Sequence, residues 1–193
     1  MSVINATVSS CIFKSPGEIE VDIAFGSMQR FGIPMYFGGP HPAYLACNGK
    51  FLRYMPGRII GESLDIKGNN CYRLGLQTRE QHIKKERATS NICTSQALLA
   101  NISSMYAIYH GKKGITEIAQ NIHKLTSMFH SWCTSNGLEV VNENCFDTVT
   151  FKHKYADWIQ DELYKHKILV YRDNDIISIT FEFNTSSFEA LVP

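Results

Sequence analysis

The sequence has little net charge and no long apolar run, and each absence excludes a class of protein. Its 193 residues carry 19 basic and 18 acidic side chains, so the formal net charge is only +1. That balance gives no electrostatic reason to expect nucleic acid or an anionic membrane as a partner. No apolar stretch approaches the roughly 18–20 residues that a membrane-spanning helix needs, so we expect a soluble chain.

Closely spaced cysteines are also absent. The six cysteines are scattered along the chain without a C-x-x-C pair, at Cys11, Cys47, Cys71, Cys93, Cys133 and Cys145. Because zinc sites usually show close ligand pairs, this spacing argues against a metal. The first residues lack a basic head followed by an apolar core, so no secretory signal or targeting peptide is expected. Together these features predict free thiols in a reducing compartment.

Familiar catalytic and nucleotide-binding motifs are missing as well. The stretch "YFGGPHPAY" holds Gly38, Gly39 and His41, and adjacent glycines let a backbone approach a phosphate closely. It matches neither G-x-x-x-x-G-K-[ST] nor G-x-G-x-x-G, and the chain has no H-E-x-x-H or G-x-S-x-G. Since tight turns use the same residues, the turn and the ligand loop stay open as alternatives.

What the sequence does contain is a globular pattern, with 44% hydrophobic residues. β-Branched and apolar residues predict buried strands at Val3–Phe13 and Val21–Phe25, with a turn at "KSPGE" between them. A loop-rich layer follows from Phe31 to Gly61, around a short strand at Tyr44–Cys47. The first half is therefore expected to be a strand-and-loop region.

A polar segment, "CYRLGLQTREQHIKKERATSNICT", covers residues 71–94 and has sparse, irregular apolar positions. Its many hydrogen-bonding side chains favour an interface or site, and a solvated surface loop is the alternative. Cys93 lies just before a predicted helix, where backbone amides lower a thiol's pKa. It is either a redox-sensitive thiol or a small buried hydrophobe.

From Thr94 the apolar residues recur with the helical period. The spacing predicts one helix that ends at Gly111 and Gly114, and a second from about Ile115 to Ser135 that ends at Asn136-Gly137. The apolar stripes of both helices are interpreted as core packing.

The last part of the chain alternates strands and a helix. The predicted elements are strands at Leu138–Val141 and Thr148–Lys152, a helix at Tyr155–His166, a strand at Ile168–Tyr171, a turn at Asp173–Asp175 and a strand at Ile176–Phe181. The tail "NTSSFEALVP" opens a helix and stops within about one turn. A helix begun and not finished indicates that a larger fold continues.

Long ordered blocks of this chain closely resemble the N-terminal half of the P-protein of the glycine cleavage system. The matching blocks are Gly26–Pro34, Gly38–His41, Met55–Arg58, Leu74–Ile83 and Ala88–Gln96. The resemblance implies an α/β fold, a fragment of a fold-type I pyridoxal-phosphate-dependent transferase-like fold. Residues 1–92 would be the end of the large domain, and residues 93–193 most of the small C-terminal α/β domain, truncated at its last helix. The larger part of the large domain would precede Met1.

The resemblance also implies an activity, that of glycine dehydrogenase (aminomethyl-transferring), an oxidoreductase of glycine catabolism. Such an enzyme decarboxylates glycine with pyridoxal phosphate and passes the aminomethyl group to the lipoyl arm of H-protein. The cofactor would be bound by the C-terminal half and not covalently by this chain. The implied partners are that half or another P-protein chain, and lipoylated H-protein. The compartment would be the mitochondrial matrix in a eukaryote and the cytoplasm in a bacterium.

Two departures bear on catalysis. When the Schiff-base loop of the family's catalytic half is laid on "MQRFGIPMYFGGP", its lysine falls at Gln29 or Arg30. An amide is not a usable nucleophile, and a guanidinium stays protonated, so neither can attach the cofactor. Val8 stands where the family reads aspartate, and valine cannot pair with a pyridinium nitrogen. We therefore expect a chain that is inactive alone.

In the family the first half is expected to pack against the catalytic half and complete its active site. The candidate residues for this contribution are Arg79, His82, Asn91, Cys93 and Thr94, followed by Gly38, Gly39 and His41. The alternative is a non-catalytic truncated paralogue that acts only as a partner-binding module. Under either hypothesis the first strands would leave an apolar face and a sheet edge uncovered, which predicts an isolated chain that is poorly soluble or oligomeric.

Overall fold

The chain forms two compact units in a computed structural model that describes residues 3–5, 8–76, 86 and 96–183. The first unit comprises residues 1–10 and 14–109, and the second comprises residues 11–13 and 110–193. The domain boundary predicted between residues 92 and 93 lies outside the described residues and stays a prediction. Among the described helices, none is long and apolar enough to cross a membrane.

A three-stranded sheet forms the centre of the first unit. Its strands are β1 (Val3–Asn5), β2 (Ile23–Ser27) and β3 (Ala43–Cys47), in that order, with β1 parallel and β3 antiparallel to β2. A parallel pair needs a crossover, and here the connection contains a 3-10 helix at Val8–Cys11 that buries Val8. The single strand predicted over Val3–Phe13 is therefore wrong at Val8–Cys11.

A separate hairpin follows in the first unit. After a 3-10 helix at Gly49–Tyr54, β4 (Ile59–Leu64) pairs antiparallel with β5 (Asn70–Leu76). The turn is built by Asp65, whose carboxylate Oδ1 accepts the N–H groups two and four residues later, each at 2.8 Å. Residues 71–76 of the polar segment thus form a strand, so the alternative of a solvated surface loop is wrong for these residues.

The main helix, α1 (Ala97–Ser135), is interrupted at Gly111, whose φ of 59° and ψ of −179° are not helical. The predicted division into two helices is confirmed at this glycine, although the second begins directly after it rather than near Ile115. The predicted end is also confirmed. Gly137 adopts φ 74°, its N–H donates to the Thr134 carbonyl, and the next N–H reaches the Cys133 carbonyl.

The second unit adds an antiparallel sheet and a short helix to the rest of α1. The strands β6 (Glu139–Val140), β7 (Thr148–Lys152), β8 (Tyr171–Asp173) and β9 (Ile176–Thr180) lie in the order β6-β7-β9-β8, and α2 spans Ala156–Lys165. β7 matches its prediction, and β9 matches the predicted strand at Ile176–Phe181 except for its last residue. The strand predicted at residues 168–171 is wrong, because the edge strand begins only at residue 171.

Alternating side chains build the core of the second unit. Val149 faces Ile179 and Phe151 faces Ile177 across the β7–β9 pair, and all four are buried. Phe129 of α1 packs on this face, with ring centroids 6.4 Å from Phe151. Both units combine helix with strand, as an α/β fragment requires.

Candidate functional site

The glycine-rich stretch connects β2 to β3, and we call residues 28–42 the β2–β3 loop. The last residue pair of the two strands is Ser27 opposite Ala43, and the Met28 N–H donates to the Pro42 carbonyl at 2.8 Å. This hydrogen bond closes the neck of the loop. The candidate residues Gly38, Gly39 and His41 therefore belong to one closed element.

Gln29 fixes the first turn of the loop. Its side-chain Nε2 donates to the Ile33 carbonyl at 2.7 Å, and the Ile33 N–H donates back to the Gln29 carbonyl at 3.0 Å. The Gln29 N–H is held by Ser27 Oγ at 3.2 Å, and the Ile33 side chain is buried. The Gln29 amide, at one of the two positions where the family's lysine is expected, thus shapes the loop.

The main-chain carbonyl of Met35 accepts hydrogen bonds from the three candidate residues that the structure describes. The Met35 oxygen accepts the Gly38 N–H at 2.9 Å, the Gly39 N–H at 3.1 Å and the His41 ring through Nε2 at 3.2 Å. Because a carbonyl only accepts, this contact requires the proton on Nε2 of the imidazole. The two glycine amides are used inside the loop and do not point to a phosphate.

Positive φ angles shape the tip of the loop. Tyr36, Phe37, Gly38 and Gly39 have φ values of 45°, 55°, 114° and 127°. Side chains are rarely found in this region, and each such residue that is not glycine stores strain. Met35, Tyr36 and Phe37 are exposed, Phe37 completely. The tip therefore presents large apolar side chains in a conformation set by the backbone.

The base of the loop packs against α1 within the first unit. The Phe31 and Tyr106 rings meet edge-on with centroids 6.0 Å apart, and the buried Ser103 hydroxyl donates to the Met28 carbonyl at 3.5 Å. Gly32 has φ 79°, and a Cβ atom at this position would lie 2.8 Å from Tyr106 Cδ2. Glycine therefore fits between the loop and this ring without a clash, and a residue with a Cβ atom does not. Burial of the same ring raises the pKa of Tyr106 above its ordinary value.

The loop does not fit covalent attachment of pyridoxal phosphate. The sequence has no lysine between Lys14 and Lys50, so the loop offers no amine for a Schiff base. The Gln29 amide is engaged with a carbonyl. The neighbouring Arg30 carries a guanidinium, which stays protonated.

The other predicted site residues cannot be placed against this loop. Arg79, His82, Asn91, Cys93 and Thr94 lie outside the described residues, so their role stays a prediction. Within the described ranges, no group of His, Cys, Asp and Glu side chains could hold a metal ion. The cysteines of the same ranges carry free thiols.

Sequence reasoning missed an open cleft of about 530 Å³ in the second unit. His123 in this cleft contacts the Phe146 carbonyl through Nδ1 at 3.2 Å, and its ring stacks on Phe146. His130 Nε2 is buried and has no hydrogen-bond partner in the described part of the chain. Burial, and then the Asp147 carboxylate, raises the pKa of the Cys145 thiol. The cleft thus joins a packed histidine to a poorly ionised thiol, and no sequence spacing connects them.

Comparison with known proteins gives consistent matches. The family model described as "Glycine cleavage system P-protein" matches residues 1–189. The "Glycine dehydrogenase (decarboxylating)" of Psychromonas ingrahamii is 53% identical over 150 residues, covering 78% of this chain and 16% of that protein. The "Glycine dehydrogenase (decarboxylating), mitochondrial" of Pisum sativum is 48% identical over 176 residues, covering 91% and 17%.

Solved structures agree with the sequence matches. A crystal structure of glycine decarboxylase (P-protein) of the glycine cleavage system, in inhibitor-bound form, superposes with a TM-score of 0.82 at 29% identity. The match covers 98% of this chain and 46% of that one. An 8-amino-7-oxononanoate synthase of Francisella tularensis, at 12% identity and a TM-score of 0.56, shares the fold alone. The predicted fragment of a fold-type I enzyme is confirmed, and the chain spans about one sixth of the length of the curated relatives.

Proposed function

This chain belongs to the P-protein family of the glycine cleavage system, and from that premise we propose that it is a structural, partner-binding part of a glycine dehydrogenase (decarboxylating). The complete enzyme would decarboxylate glycine with pyridoxal phosphate and transfer the aminomethyl group to the lipoyl arm of H-protein. The chain would pack against the half that holds the cofactor. It would be inactive alone.

The observation that carries this proposal is the self-contained β2–β3 loop. The hydrogen bonds from Gln29 to Ile33 and from Gly38, Gly39 and His41 to the Met35 carbonyl hold the loop through its own atoms. A loop that keeps its shape and lacks a lysine supports a role in support rather than covalent chemistry. Its exposed apolar tip supports binding of a protein partner.

The candidate residues take their roles from this arrangement. Gly38 and Gly39 give the tip its backbone, and His41 ties the returning strand to it. We propose that Arg79, His82, Asn91, Cys93 and Thr94 add polar contacts to the same partner. The compartment would be the mitochondrial matrix in a eukaryote and the cytoplasm in a bacterium.

Cofactor trapping tests the absence of covalent chemistry. The purified chain is incubated with pyridoxal phosphate, reduced with borohydride and mapped by peptide mass spectrometry. We expect no adduct in residues 28–42, because they hold no amine. The Gln29→Lys variant is the matched control, since it returns a lysine to one of the two positions where the family's lysine falls. A stoichiometric adduct at a lysine elsewhere in the unsubstituted chain would refute the proposal that this chain does not hold the cofactor covalently.

A complementation assay distinguishes the proposed function, a part of the enzyme, from the alternative, a non-catalytic partner-binding paralogue. A P-protein relative lacking the matched segment is assayed for release of CO2 from glycine, with and without this chain. Activity that depends on the added chain supports a part of the enzyme. A stable complex without activity supports the partner-binding paralogue instead. Activity of this chain alone with pyridoxal phosphate would overturn both.

A further inference from the structure

The open cleft of the second unit combines hydrogen-bonding groups with exposed aromatic surface. Its volume of about 530 Å³ lies within the range of about 300–1,000 Å³ that is typical of small-molecule sites. The described residues that line it come from Phe13, from the helix α1 between His123 and Ser131, and from residues 143–146. All three stretches belong to the second unit, so the cleft is a feature of one compact unit.

The two serines of the cleft can only accept further hydrogen bonds. The Ser127 hydroxyl donates to the His123 carbonyl, and the Ser131 hydroxyl donates to the Ser127 carbonyl, each at 2.8 Å. A hydroxyl has a single proton, so an oxygen whose proton is already used offers only its lone pairs. These side chains therefore favour a ligand that brings its own hydrogen-bond donors.

The His123 ring adds another acceptor. Because a carbonyl only accepts, the 3.2 Å contact between His123 Nδ1 and the Phe146 carbonyl requires the proton on Nδ1. In the neutral imidazole this leaves Nε2 without a proton, as a hydrogen-bond acceptor. The ring thus has the same preference for a donor as the two serines.

The charge at the cleft is negative. Glu143 lines it with a carboxylate, and the described lining residues include no lysine or arginine. Burial, and then the Asp147 carboxylate, raises the pKa of the Cys145 thiol, so the negative charge of Asp147 also acts on this cleft. An anionic ligand is disfavoured by this field, and a cationic ligand is attracted by it.

Aromatic rings give the cleft an apolar surface that also attracts cations. The Phe13 ring centroid lies 5.3 Å from that of His123 and 6.0 Å from that of Phe146, with each pair close to perpendicular. Phe13 nevertheless stays 50% exposed. The face of an aromatic ring attracts a cation electrostatically, so an exposed ring beside a carboxylate suits a positively charged organic group.

We propose that this cleft binds a small organic cation, a guanidinium or primary ammonium group on a short apolar chain. The Glu143 carboxylate accepts its N–H groups, the Ser127 and Ser131 oxygens are further acceptors, and the Phe13 ring contacts its apolar part. A carboxylate or phosphate ligand does not suit the site, because the serine protons are already used and Glu143 repels it. This binding site goes beyond the partner-binding role proposed for the chain.

Titration of the whole chain, followed by ligand-observed NMR at pH 8, tests the site; an ordinary imidazole is neutral at this pH. The probes are n-butylguanidinium, the neutral pentanamide and the anionic pentanoate. A blocked tripeptide, acetyl-Gly-Arg-Gly-amide, presents the same guanidinium from a peptide. Glu143→Gln removes the charge, and Phe13→Leu removes the ring but keeps an apolar side chain. Glu139→Gln is the matched control, because this 73% exposed residue of β6 does not line the cleft.

We expect n-butylguanidinium to bind with a Kd of about 1 mM or below, and the two uncharged or anionic probes at least about 10-fold more weakly. Glu143→Gln should weaken binding of the cation about 10-fold, Phe13→Leu about 5-fold, and Glu139→Gln less than about 2-fold. Absence of saturable binding, binding unchanged in both cleft variants, or pentanoate binding as tightly as the cation would refute the site. Tighter binding of the tripeptide than of n-butylguanidinium would overturn the small-molecule ligand and assign the cation to a protein side chain.

Discussion

Replacing Gly32 with alanine tests how the β2–β3 loop is held against α1. Gly32 adopts φ 79°, and an added Cβ would lie 2.8 Å from Tyr106 Cδ2. The substitution therefore imposes two separate penalties, a backbone conformation that alanine avoids and a clash with a packed ring. The Tyr106→Ala background removes the second penalty and leaves the first.

The two penalties have different sizes. Alanine in the left-handed region costs about 1–2 kcal/mol. Forcing an extra carbon into a packed contact costs about 1–3 kcal/mol. Alanine also restricts the unfolded chain more than glycine does, which stabilises the folded state by about 0.4–1 kcal/mol and offsets part of these penalties. Gly32→Ala should thus lower the free energy of unfolding of the first unit by about 2–4 kcal/mol, and by only about 1 kcal/mol in the Tyr106→Ala background.

Hydrogen exchange is the suitable assay, because both tryptophans, Trp132 and Trp158, lie in the second unit and their emission does not report the first. The urea dependence of exchange in peptides of residues 23–47 gives the free energy in each background. Gly49→Ala is the matched control, since it has no positive φ and no atom within 4 Å of the added carbon. Equal losses with and without the Tyr106 ring would refute the packing argument.

Three further predictions concern other parts of the chain. Phe129→Ala should lower the stability of the second unit by about 3–5 kcal/mol and Met128→Ala, which is 45% exposed, by less than about 1, as measured by tryptophan emission in urea. Burial raises the pKa of Cys133 from 9.0 to about 11, so the thiol ionises at a lower pH in the unfolded chain than in the folded one, and the stability of the second unit should fall as pH rises from 9 towards 11. The same pH dependence in the Cys133→Ala variant would contradict this prediction. Hydrogen bonds from Asn69 lower the pKa of Asp65 below 3.8, so the β4–β5 turn should be stable above pH 3.8 and lose amide protection in hydrogen exchange as the pH falls below that value. The Asp65→Asn variant should show no loss of amide protection over the same pH range.

The sequence predicted those elements whose residues follow a clear period. β7 alternates buried and polar side chains, β9 buries Ile177 and Ile179, and α1 carries a helical stripe with glycine at its break and after its end. The β4–β5 hairpin was missed because Ile60 and Tyr72 are mostly exposed, so the strands show no alternation. Its turn was nevertheless readable, since Asp65 and Gly68 are typical turn residues.

The candidate site was only partly readable from sequence. The residue types of Gly38, Gly39 and His41 were enough to make them candidates from the sequence. The Met35 carbonyl that accepts their hydrogen bonds is a main-chain group, so it has no sequence signature. The packing of Gly32 on Tyr106 joins positions 74 residues apart (106 − 32) and depends on the tertiary fold. The absence of lysine from residues 28–42 is different, because it can be read directly from the sequence.

The Met35 carbonyl has a consequence for evolution. Because the tip is tied by a main-chain oxygen, replacing the side chains at 35, 36 or 37 leaves the tie intact. The two glycines, at φ 114° and 127°, are by contrast fixed by their backbone geometry. Substitutions can therefore change the exposed surface of this loop without changing its backbone conformation. The loop thus offers a backbone frame on which new recognition surfaces can be selected.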